Sequence, residues 1–562
     1  MNERDIRLQA LRQAATARYR NGEFDAAEQL IGEALKLDPN SPELWSNRGT
    51  AQAAAKRQDA ALASFTRALQ LNPGFLGAVA NRAHVLFELQ CYAEAIPDYE
   101  KLLARDPGHA YSAGNLIFCR LQCCDWSSFE SDRTAILARL RAGQRVMPPV
   151  LSVALLDSPA DQLTAAQILS RDKFPPVPPL WRGEPYRHDR IRVAYVSADF
   201  HAHATAVLTA GLFEHHDRSR FETVAISFGR DDGSRLRGRL KRAIERFIDV
   251  RGKSDADIAR LIRELEIDLA VDLKGYTSEA RPALFSFRPA PLQVNYLGFP
   301  GTMGAQFMDY LIADPIVVPE AQKAFYTEQI VSLPDTYQPN DKSRETVDAP
   351  IDRASVGLPP SGFVFCCFNN DYKIQPRMFD VWMRLLHGVE GSVLWLLADN
   401  RAATRNLKRE AAARCIDPER LVFAPRRDLP EHLARHRFAD LFLDTLPYNA
   451  HTTASDALWT GLPLVTCPGN TFAGRVAASL LHAVGLPELV AESLADYETV
   501  ALRLAHDPHT LGVIRSKLAA NRESMPLFNA QHFARQLERA YAAMHERRLQ
   551  GLPPAGFAVM RS

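Results

Sequence analysis

The chain of 562 residues is 46% hydrophobic and 24% charged, with a formal net charge of +1. This length exceeds what one hydrophobic core serves, so several domains are expected. The near-zero charge gives no general attraction to nucleic acid or to a membrane surface, and neither is predicted as a partner. The eight cysteines form no Cys-x-x-Cys pair with matching histidines, which argues against a zinc site or a disulfide framework.

The N-terminus, MNERDIRLQALRQ, is charged from its start and lacks the apolar core of a signal peptide. No apolar run approaches the ~18 residues that a membrane-spanning helix needs. We therefore expect a cytoplasmic protein that works in a reducing compartment.

The first 130 residues contain an internal repeat. Residues of three kinds recur at intervals of 34 residues: Pro39, Pro73 and Pro107; Ala27, Ala61 and Ala95; Asn47, Asn81 and Asn115. This period, with small residues at helix crossings and a helix-ending proline, is typical of the tetratricopeptide repeat. Each such repeat is a helix pair that buries its apolar faces only against its neighbours, so the stack curves into a groove.

The three asparagines occupy equivalent places in successive repeats. A side-chain amide offers both donors and an acceptor, so a row of them can hold an extended acceptor peptide by its backbone. We predict such a peptide groove at Asn47, Asn81 and Asn115. The alternative is that each amide bonds only within its own helix pair.

From residue 190 onward, short apolar segments alternate with amphipathic ones. The predicted strands are 191–197, 221–228, 268–273, 293–298, 363–370, 392–397, 421–425, 439–445 and 463–469. This alternation predicts βαβ units that build two parallel, Rossmann-like sheets. The predicted domains are tetratricopeptide repeats at 1–130, connector helices with a proline-rich linker at 131–185, Rossmann-like domains at 186–345 and 355–545, and a tail at 546–562. A polar linker is predicted at 336–360.

Polar residues follow several of these strands, at the end where ligands of parallel sheets bind. Asp199, His201, His203 and Thr205 follow the strand 191–197, and imidazole groups suit proton transfer near neutral pH. Lys373 follows the strand 363–370 and provides a point charge for a phosphate. Taken singly, each of these residues also fits a solvated surface loop.

Glycines follow another strand, in YLGFPGTMG. Gly298, Gly301 and Gly304 allow backbone amides to approach a ligand closely, although a plain turn explains them as well. Their spacing is not the dinucleotide pattern GxGxxG, so no redox cofactor is predicted. The Asp-x-Asp pair at Asp255 and Asp257 lies at a predicted helix start, where capping explains the acids, and no metal is predicted.

The stretch NAHTTASD, 449–456, follows the strand 439–445. Thr453 and Asp456 form a Thr-x-x-Asp variant of the capping box. The helix that begins there offers its N-terminal amides to a diphosphate, and a carboxylate in its first turn can accept hydrogen bonds from ribose hydroxyls. Upstream, His432 and Arg435 share one face of another predicted helix.

These motifs occur together and in order. Repeats followed by YVSADF, RPAP, YLGFPGTMG, FNNDYKI, LDTLPYNAHTTASDALWTG and RVAASLL resemble the peptide O-linked N-acetylglucosaminyltransferase family, over residues 8–130 and 186–545. The resemblance implies α-helical repeats followed by an α/β glycosyltransferase fold of the two-domain GT-B type. It also implies an inverting, metal-independent transfer of N-acetylglucosamine from UDP-GlcNAc to Ser or Thr hydroxyls of proteins, without a cofactor.

The resemblance also implies roles for individual residues. His203, Asp199 and Lys373 are the implied catalytic residues; His203 is the first candidate for the base, Asp199 the second, and the donor phosphate a third. The implied UDP-sugar-binding residues are Thr205, Leu297, Gly298, Asn370, Tyr372, Arg427, His432, Arg435, His451, Thr452, Thr453 and Asp456.

The chain departs from the family pattern at several places. Asn370 replaces a glutamine, Leu429 replaces a lysine that contacts the nucleotide in animal members, and alanines flank His203. Two other functions stay open: a related transferase that uses UDP-glucose with an Asn acceptor or GDP-fucose, and a non-catalytic repeat scaffold. His451 and Asp456 favour UDP over GDP-fucose.

Overall fold

A computed structural model describes residues 3–344 and 352–561. The predicted boundaries at residues 1, 345 and 562 and the centre of the predicted linker lie outside these ranges. The chain divides into two compact units, Met1–Ile136 and Leu137–Ser562. No helix within the described ranges is both long and apolar enough to cross a membrane.

The first unit is built of antiparallel helix pairs. The helices up to its end are α1 (Glu3–Arg20), α2 (Phe24–Leu37), α3 (Pro42–Ala54), α4 (Gln58–Leu71), α5 (Leu76–Glu88), α6 (Tyr92–Arg105), α7 (Ser112–Gln122) and α8 (Phe129–Arg141). The recurring alanines Ala27, Ala61 and Ala95 are fully buried where helices cross. A Cβ on Gly49 would lie 2.8 Å from the Phe65 ring, so this crossing needs a glycine. The predicted repeat architecture is confirmed.

The second unit contains two parallel sheets. The first has the order β13-β7-β6-β5-β4-β1-β2-β3. Its strands are β1 (Ile191–Ser197), β2 (Phe221–Ser227), β3 (Arg246–Asp249), β4 (Leu269–Asp272), β5 (Leu292–Asn295), β6 (Tyr310–Ala313), β7 (Gln329–Ser332) and β13 (Phe557–Ala558). Most of these strands are Val-, Ile- and Leu-rich and are buried on both faces, as parallel sheets require.

The second sheet has the order β10-β9-β8-β11-β12. Its strands are β8 (Val364–Cys367), β9 (Val393–Leu397), β10 (Leu421–Ala424), β11 (Leu441–Leu443) and β12 (Leu464–Val465). All pairings within both sheets are parallel. The prediction of two Rossmann-like sheets is confirmed, and the central strand of each sheet falls where the sequence placed one.

Helices surround both sheets of the second unit. Those in the described residues are α9 (Pro149–Leu155), α10 (Pro159–Lys173), α11 (Ala204–Glu214), α12 (Arg235–Ala243), α13 (Asp255–Glu264), α14 (Ala283–Ser286), α15 (Pro376–Gly388), α16 (Arg401–Ala413), α17 (Leu429–Arg435), α18 (Thr452–Trp459), α19 (Val476–Ala483), α20 (Leu494–His506), α21 (Pro508–Ser524) and α22 (Ala530–Leu549).

The C-terminal segment differs from the predicted boundaries. Helix α22 was assigned to the domain of the second sheet, but its Phe533, Leu537 and Tyr541 join the core cluster of the first sheet. Strand β13, within the predicted tail, pairs with β7 of that sheet. The chain therefore returns to the first sheet after completing the second.

The beginning of the predicted linker is also not a solvated segment. Gln338 donates to the Ser455 hydroxyl at 2.6 Å, and Arg344 bonds to Asp456 at 2.6 Å, so this stretch packs against α18. Thr336, Gln338, Asn340, Asp341 and Arg344 are buried, whereas Lys342 and Ser343 are exposed.

Candidate active site

The end of β1 brings three of the predicted residues together. Asp199 is buried, and His203, at the N-cap of α11, is 41% exposed at its side chain. The His203 Nδ1 lies 3.4 Å from Asp199 Oδ2 and 3.2 Å from the Thr205 amide nitrogen. Burial lowers the pKa of His203, and the Asp199 charge opposes this shift. A neutral imidazole is thus held at the edge of the sheet, where it suits a proton acceptor.

Lys274, which follows β4, completes this group and was not predicted. Its ammonium group donates to both carboxylate oxygens of Asp199 at 2.8 Å, and both side chains are buried. In the register of β1 and β4, Val196 lies opposite Asp272. Asp199 and Lys274 follow these two residues in the chain, so both lie at the same edge of the sheet. A lone lysine after a strand carries no sequence signal for this contact, because the partner lies 75 residues away.

Gly298, a predicted contact of the UDP-sugar, is also required by the packing of the backbone around it. A Cβ on Gly298 would lie 2.0 Å from the Leu273 carbonyl oxygen, so backbone packing alone requires glycine there. The preceding Leu297 has a positive φ of 69°, an unusual conformation for a branched side chain. Strained backbone of this kind clusters at binding sites, which keeps both residues as candidates.

The end of β8 places Lys373 in a buried and nearly uncompensated position. Its ammonium group donates to the Asn449 carbonyl at 2.8 Å and lies 3.8 Å from the centre of the Tyr448 ring. Among the described residues, no carboxylate lies within ion-pair distance of it, and both oxygens of nearby Asp444 accept from Ala450 and Thr466. Burial therefore lowers the pKa of Lys373 to about 8. Such a cation is a ready partner for an anion.

Helix α18 begins beside this lysine, but the predicted capping box is wrong. The N-cap is His451 and the helix starts at Thr452, while the Thr453 hydroxyl donates to the Asn369 side chain at 2.5 Å. Asn369 follows β8, and because the Thr453 hydroxyl bonds to it, this hydroxyl does not cap the helix. Burial lowers the pKa of His451 well below its usual value, and one ring nitrogen contacts the Ala473 carbonyl at 3.1 Å.

Asp456 is held by a residue that sequence reasoning missed. Its carboxylate bonds to Arg344 Nη1 at 2.6 Å, and both side chains are buried. Burial raises the pKa of Asp456 to about 6, against the effect of the Arg344 charge, and burial lowers the pKa of Arg344. Asp456 was predicted to bind the ribose hydroxyls, and at least one of its carboxylate oxygens already accepts a hydrogen bond from Arg344.

Helix α17 brings His432 and Arg435 into contact, as their spacing predicted. Arg435 is buried, lies 4.4 Å from the centre of the Phe368 ring and donates to the Pro425 carbonyl at 2.7 Å. Burial lowers the pKa of Arg435 to about 10 and, with nearby positive charge, that of His432 to about 2. Arg427 and Arg435 line one cavity of about 520 Å³ with Trp395, Phe423 and Glu431.

The remaining predicted residues lie in the same loops. Asn370 accepts from Arg426 at 3.0 Å, and the Tyr372 ring lies 6.0 Å from the Tyr448 ring. Thr452 is the first residue of α18. The loops of the two sheets meet, because Tyr448 packs against the core cluster of the first sheet.

The repeat asparagines are not equivalent in the structure. Asn47 and Asn81 are exposed, and Asn47 lines a cavity of about 210 Å³ in the first unit. Asn81 contacts the Thr50 hydroxyl at 3.4 Å, whereas Asn115 is half-buried and donates to the Tyr99 hydroxyl at 3.1 Å. The Asn115 amide therefore bonds to α6 of the preceding helix pair and not within its own pair.

Within residues 3–344 and 352–561, no group of three or more His, Cys, Asp or Glu side chains is arranged to hold a metal ion.

Known proteins resemble both units. A profile of glycosyl transferase family 41 matches residues 181–348 and 346–537, and a tetratricopeptide-repeat profile matches residues 12–74. The chain is 34% identical to the probable UDP-N-acetylglucosamine–peptide N-acetylglucosaminyltransferase SEC of Arabidopsis thaliana, over 79% of this chain and 48% of that protein. It is 29% identical to the UDP-N-acetylglucosamine–peptide N-acetylglucosaminyltransferase of Caenorhabditis elegans, over 65% of this chain and 41% of that one. The chain thus spans about half or less of these relatives.

A solved structure matches nearly the whole chain. It is a lysine-to-methionine mutant of the Thermobaculum terrenum O-GlcNAc transferase, with a TM-score of 0.71 and 27% identity over 98% of this chain and 99% of that one. The architecture is therefore that of a two-domain GT-B glycosyltransferase preceded by tetratricopeptide repeats. The chain belongs to glycosyl transferase family 41.

Proposed function

We propose that this protein transfers N-acetylglucosamine from UDP-GlcNAc to Ser or Thr hydroxyls of proteins, with inversion at the anomeric carbon. The observation that carries this proposal is the buried ammonium group of Lys373, which forms no ion pair with a carboxylate of the described residues. A buried cation of this kind is costly for folding, and binding an anion offsets that cost.

The donor diphosphate would lie between Lys373 and the start of α18. The amides of Thr452 and Thr453 are at the positive end of this helix, where they are suited to phosphate oxygens. We propose that these groups provide the stabilisation of the leaving UDP. Such preorganised stabilisation is usually the largest catalytic contribution.

The nucleoside would extend from the diphosphate toward α17. Arg427 and Arg435 line the cavity beside that helix, and neutral His432 can stack or bond with a uracil ring. Asp456 would hold the ribose hydroxyls, with Arg344 fixing its carboxylate. Leu297, Gly298, Asn370, Tyr372 and Thr205 remain proposed contacts of the donor.

The acceptor hydroxyl would attack from the side of the first sheet. Its oxygen forms the new bond to the anomeric carbon while the bond from that carbon to the diphosphate oxygen breaks. The hydroxyl proton passes to His203, and the electron pair leaves with UDP. Asp199 is a weaker candidate for the base, because both of its oxygens already accept from Lys274.

The repeats would hold the acceptor protein. Exposed Asn47 and Asn81 support a role in binding a peptide backbone. We also propose a cytoplasmic location, with which the absence of a disulfide among the described cysteines is consistent.

A product assay tests the proposal. The purified chain would be incubated in EDTA with protein or peptide acceptors and UDP-GlcNAc, UDP-glucose or GDP-fucose, and the products examined by mass spectrometry. We expect the addition of one N-acetylhexosamine to Ser or Thr from UDP-GlcNAc, which Lys373→Met abolishes and Lys408→Met preserves. Transfer from another donor only, or onto Asn, would replace the proposed reaction, and no transfer from any donor would favour a scaffold.

A further inference from the structure

We propose that Lys274 is a positioning residue of the active site, which fixes Asp199 as a carboxylate and through it selects the tautomer of His203. This inference rests on the proposed role of His203 as the base. It concerns a side chain that neither makes contact with the His203 ring nor needs to contact the substrate.

Lys274 and Asp199 form a buried ion pair. The Lys274 ammonium group donates to both Asp199 oxygens at 2.8 Å, and each side chain is 5% exposed. The backbone of Lys274 is itself fixed, because its amide donates to Asp272 Oδ1 at 2.8 Å. A buried carboxylate persists in its charged form only when a cation and hydrogen bonds compensate it. Lys274 supplies that compensation.

The Nδ1 atom of the His203 ring faces this pair. His203 Nδ1 has two competing partners: the Thr205 amide at 3.2 Å, which needs a lone pair on Nδ1, and Asp199 Oδ2 at 3.4 Å, which needs a proton on Nδ1. If the amide bond prevails, the neutral ring carries its proton on Nε2 and cannot accept another there. If the carboxylate prevails, Nε2 is free to accept the hydroxyl proton.

A charged carboxylate is the stronger partner, because hydrogen bonds to ionised groups are about twice as strong as neutral ones. Lys274 therefore favours the productive tautomer by keeping Asp199 charged. The His203 Nε2 atom has no hydrogen-bond partner among the described residues, which leaves it available to the acceptor.

Burial lowers the pKa of His203, and Lys274 and His201 act in the same direction, while Asp199 and Glu279 oppose the shift without reversing it. Lys274 thus also helps to keep the ring neutral, as a base must be before the reaction.

The test reads the tautomer directly, without substrate. Protein labelled with ¹⁵N-histidine would be compared by NMR for wild type, Lys274→Met, Lys274→Arg and the surface control Lys323→Met, with His203→Asn used to assign the signal. We expect the proton on Nδ1 in wild type, Lys274→Arg and Lys323→Met, and on Nε2 in Lys274→Met. With UDP-GlcNAc, kcat of Lys274→Met should fall by about 10²–10⁴-fold while KM for the donor is unchanged.

A second variant covers the case in which Lys274→Met does not fold. In the Asp199→Asn/Lys274→Met double variant no buried charge is left unpaired, and it should fold with His203 protonated on Nε2. A proton that stays on Nδ1 in the folded variants would overturn the inference, whatever the activity. A tautomer switch in a protein without transferase activity would support the role of Lys274 and reject the proposed function, so the two failures are distinguishable.

Discussion

The ammonium group of Lys373 lies 3.8 Å from the centre of the Tyr448 ring and also donates to the Asn449 carbonyl at 2.8 Å. A ring face and one carbonyl stabilise a buried cation only in part. The downward shift of the Lys373 pKa to about 8 expresses the remaining cost. The cost of this arrangement is expected to appear in the stability of the protein.

We expect Lys373→Met to stabilise the fold. A shift from 10.5 to about 8 corresponds to about 3 kcal/mol in the free energy of unfolding at pH 7, as an upper estimate. Because the pKa is lowered in the folded state, the unfolded chain binds the proton more tightly. The cost is therefore full below pH 8 and disappears as the pH rises toward the unfolded pKa of 10.5. Denaturant unfolding of wild type, Lys373→Met and Lys408→Met over this range checks the sign, and a less stable Lys373→Met would contradict it.

Variants of the Arg344–Asp456 pair separate the effect of Asp456 on the stability of the fold from its effect on donor binding. Asp456→Asn leaves a buried arginine unpaired and should cost about 3–5 kcal/mol of stability. The Arg344→Met/Asp456→Asn double variant should recover most of that loss. If Asp456 holds the ribose, the double variant should still bind UDP about tenfold more weakly, since a hydrogen bond to a charged group is worth about 1.5 kcal/mol or more. Wild-type affinity in the stable double variant would remove Asp456 from the donor site.

Two glycines of the same loop should respond differently to alanine. The Cβ in Gly298→Ala would lie 2.0 Å from the Leu273 carbonyl, whereas in Gly301→Ala the nearest atom would lie at 3.4 Å. We expect Gly298→Ala to lose about 1–3 kcal/mol or more of stability and to displace the neighbouring Lys274. Gly301→Ala is the matched control and should melt like wild type. Equal melting temperatures for the two variants would show that the loop can move to accommodate the methyl group.

The repeat asparagines should divide into two groups. Asn47→Ala and Asn81→Ala, both on exposed positions, should raise KM for peptide acceptors and leave the melting temperature unchanged. Asn115→Ala removes a bond to the Tyr99 hydroxyl and should cost about 1 kcal/mol of stability. Steady-state kinetics with peptide and calorimetry measure the two effects, and KM for UDP-GlcNAc is the control. Unchanged peptide KM in Asn47→Ala and Asn81→Ala would argue against the predicted groove.

Strong local patterns made most of the fold predictable from sequence. The 34-residue interval identified the repeats, and segments such as IRVAYVS coincide with β1 (Ile191–Ser197). The missed strands are β3, β6, β7 and β13, and none is longer than four residues; β3 and β13 are partly exposed, so neither shows the continuous apolar run of a buried strand. The apolar face of α22 was readable as a helix, but the sheet that it covers depends on tertiary packing.

The candidate site was predictable only where its residues are close in the chain. Asp199 and His203, both predicted to follow β1, are in contact, and so are His432 and Arg435, which were predicted to share one helix face. Lys274 and Arg344 were missed, because their partners are 75 and 112 residues away and only strand register or linker packing reveals them. The roles of these residues toward a donor stay predictions.

The most direct test of the central claim is calorimetric titration of UDP into wild type, Lys373→Met and Lys408→Met, from about pH 7 to about pH 9.5. Below pH 8 the Lys373 side chain carries its positive charge and should bind the diphosphate. Above that pH, the affinity of the wild type for UDP should fall by up to about tenfold per pH unit. We expect Lys373→Met to bind weakly with a flat profile and Lys408→Met to behave like wild type. Tight UDP binding by Lys373→Met, with the same pH profile as wild type, would contradict the account.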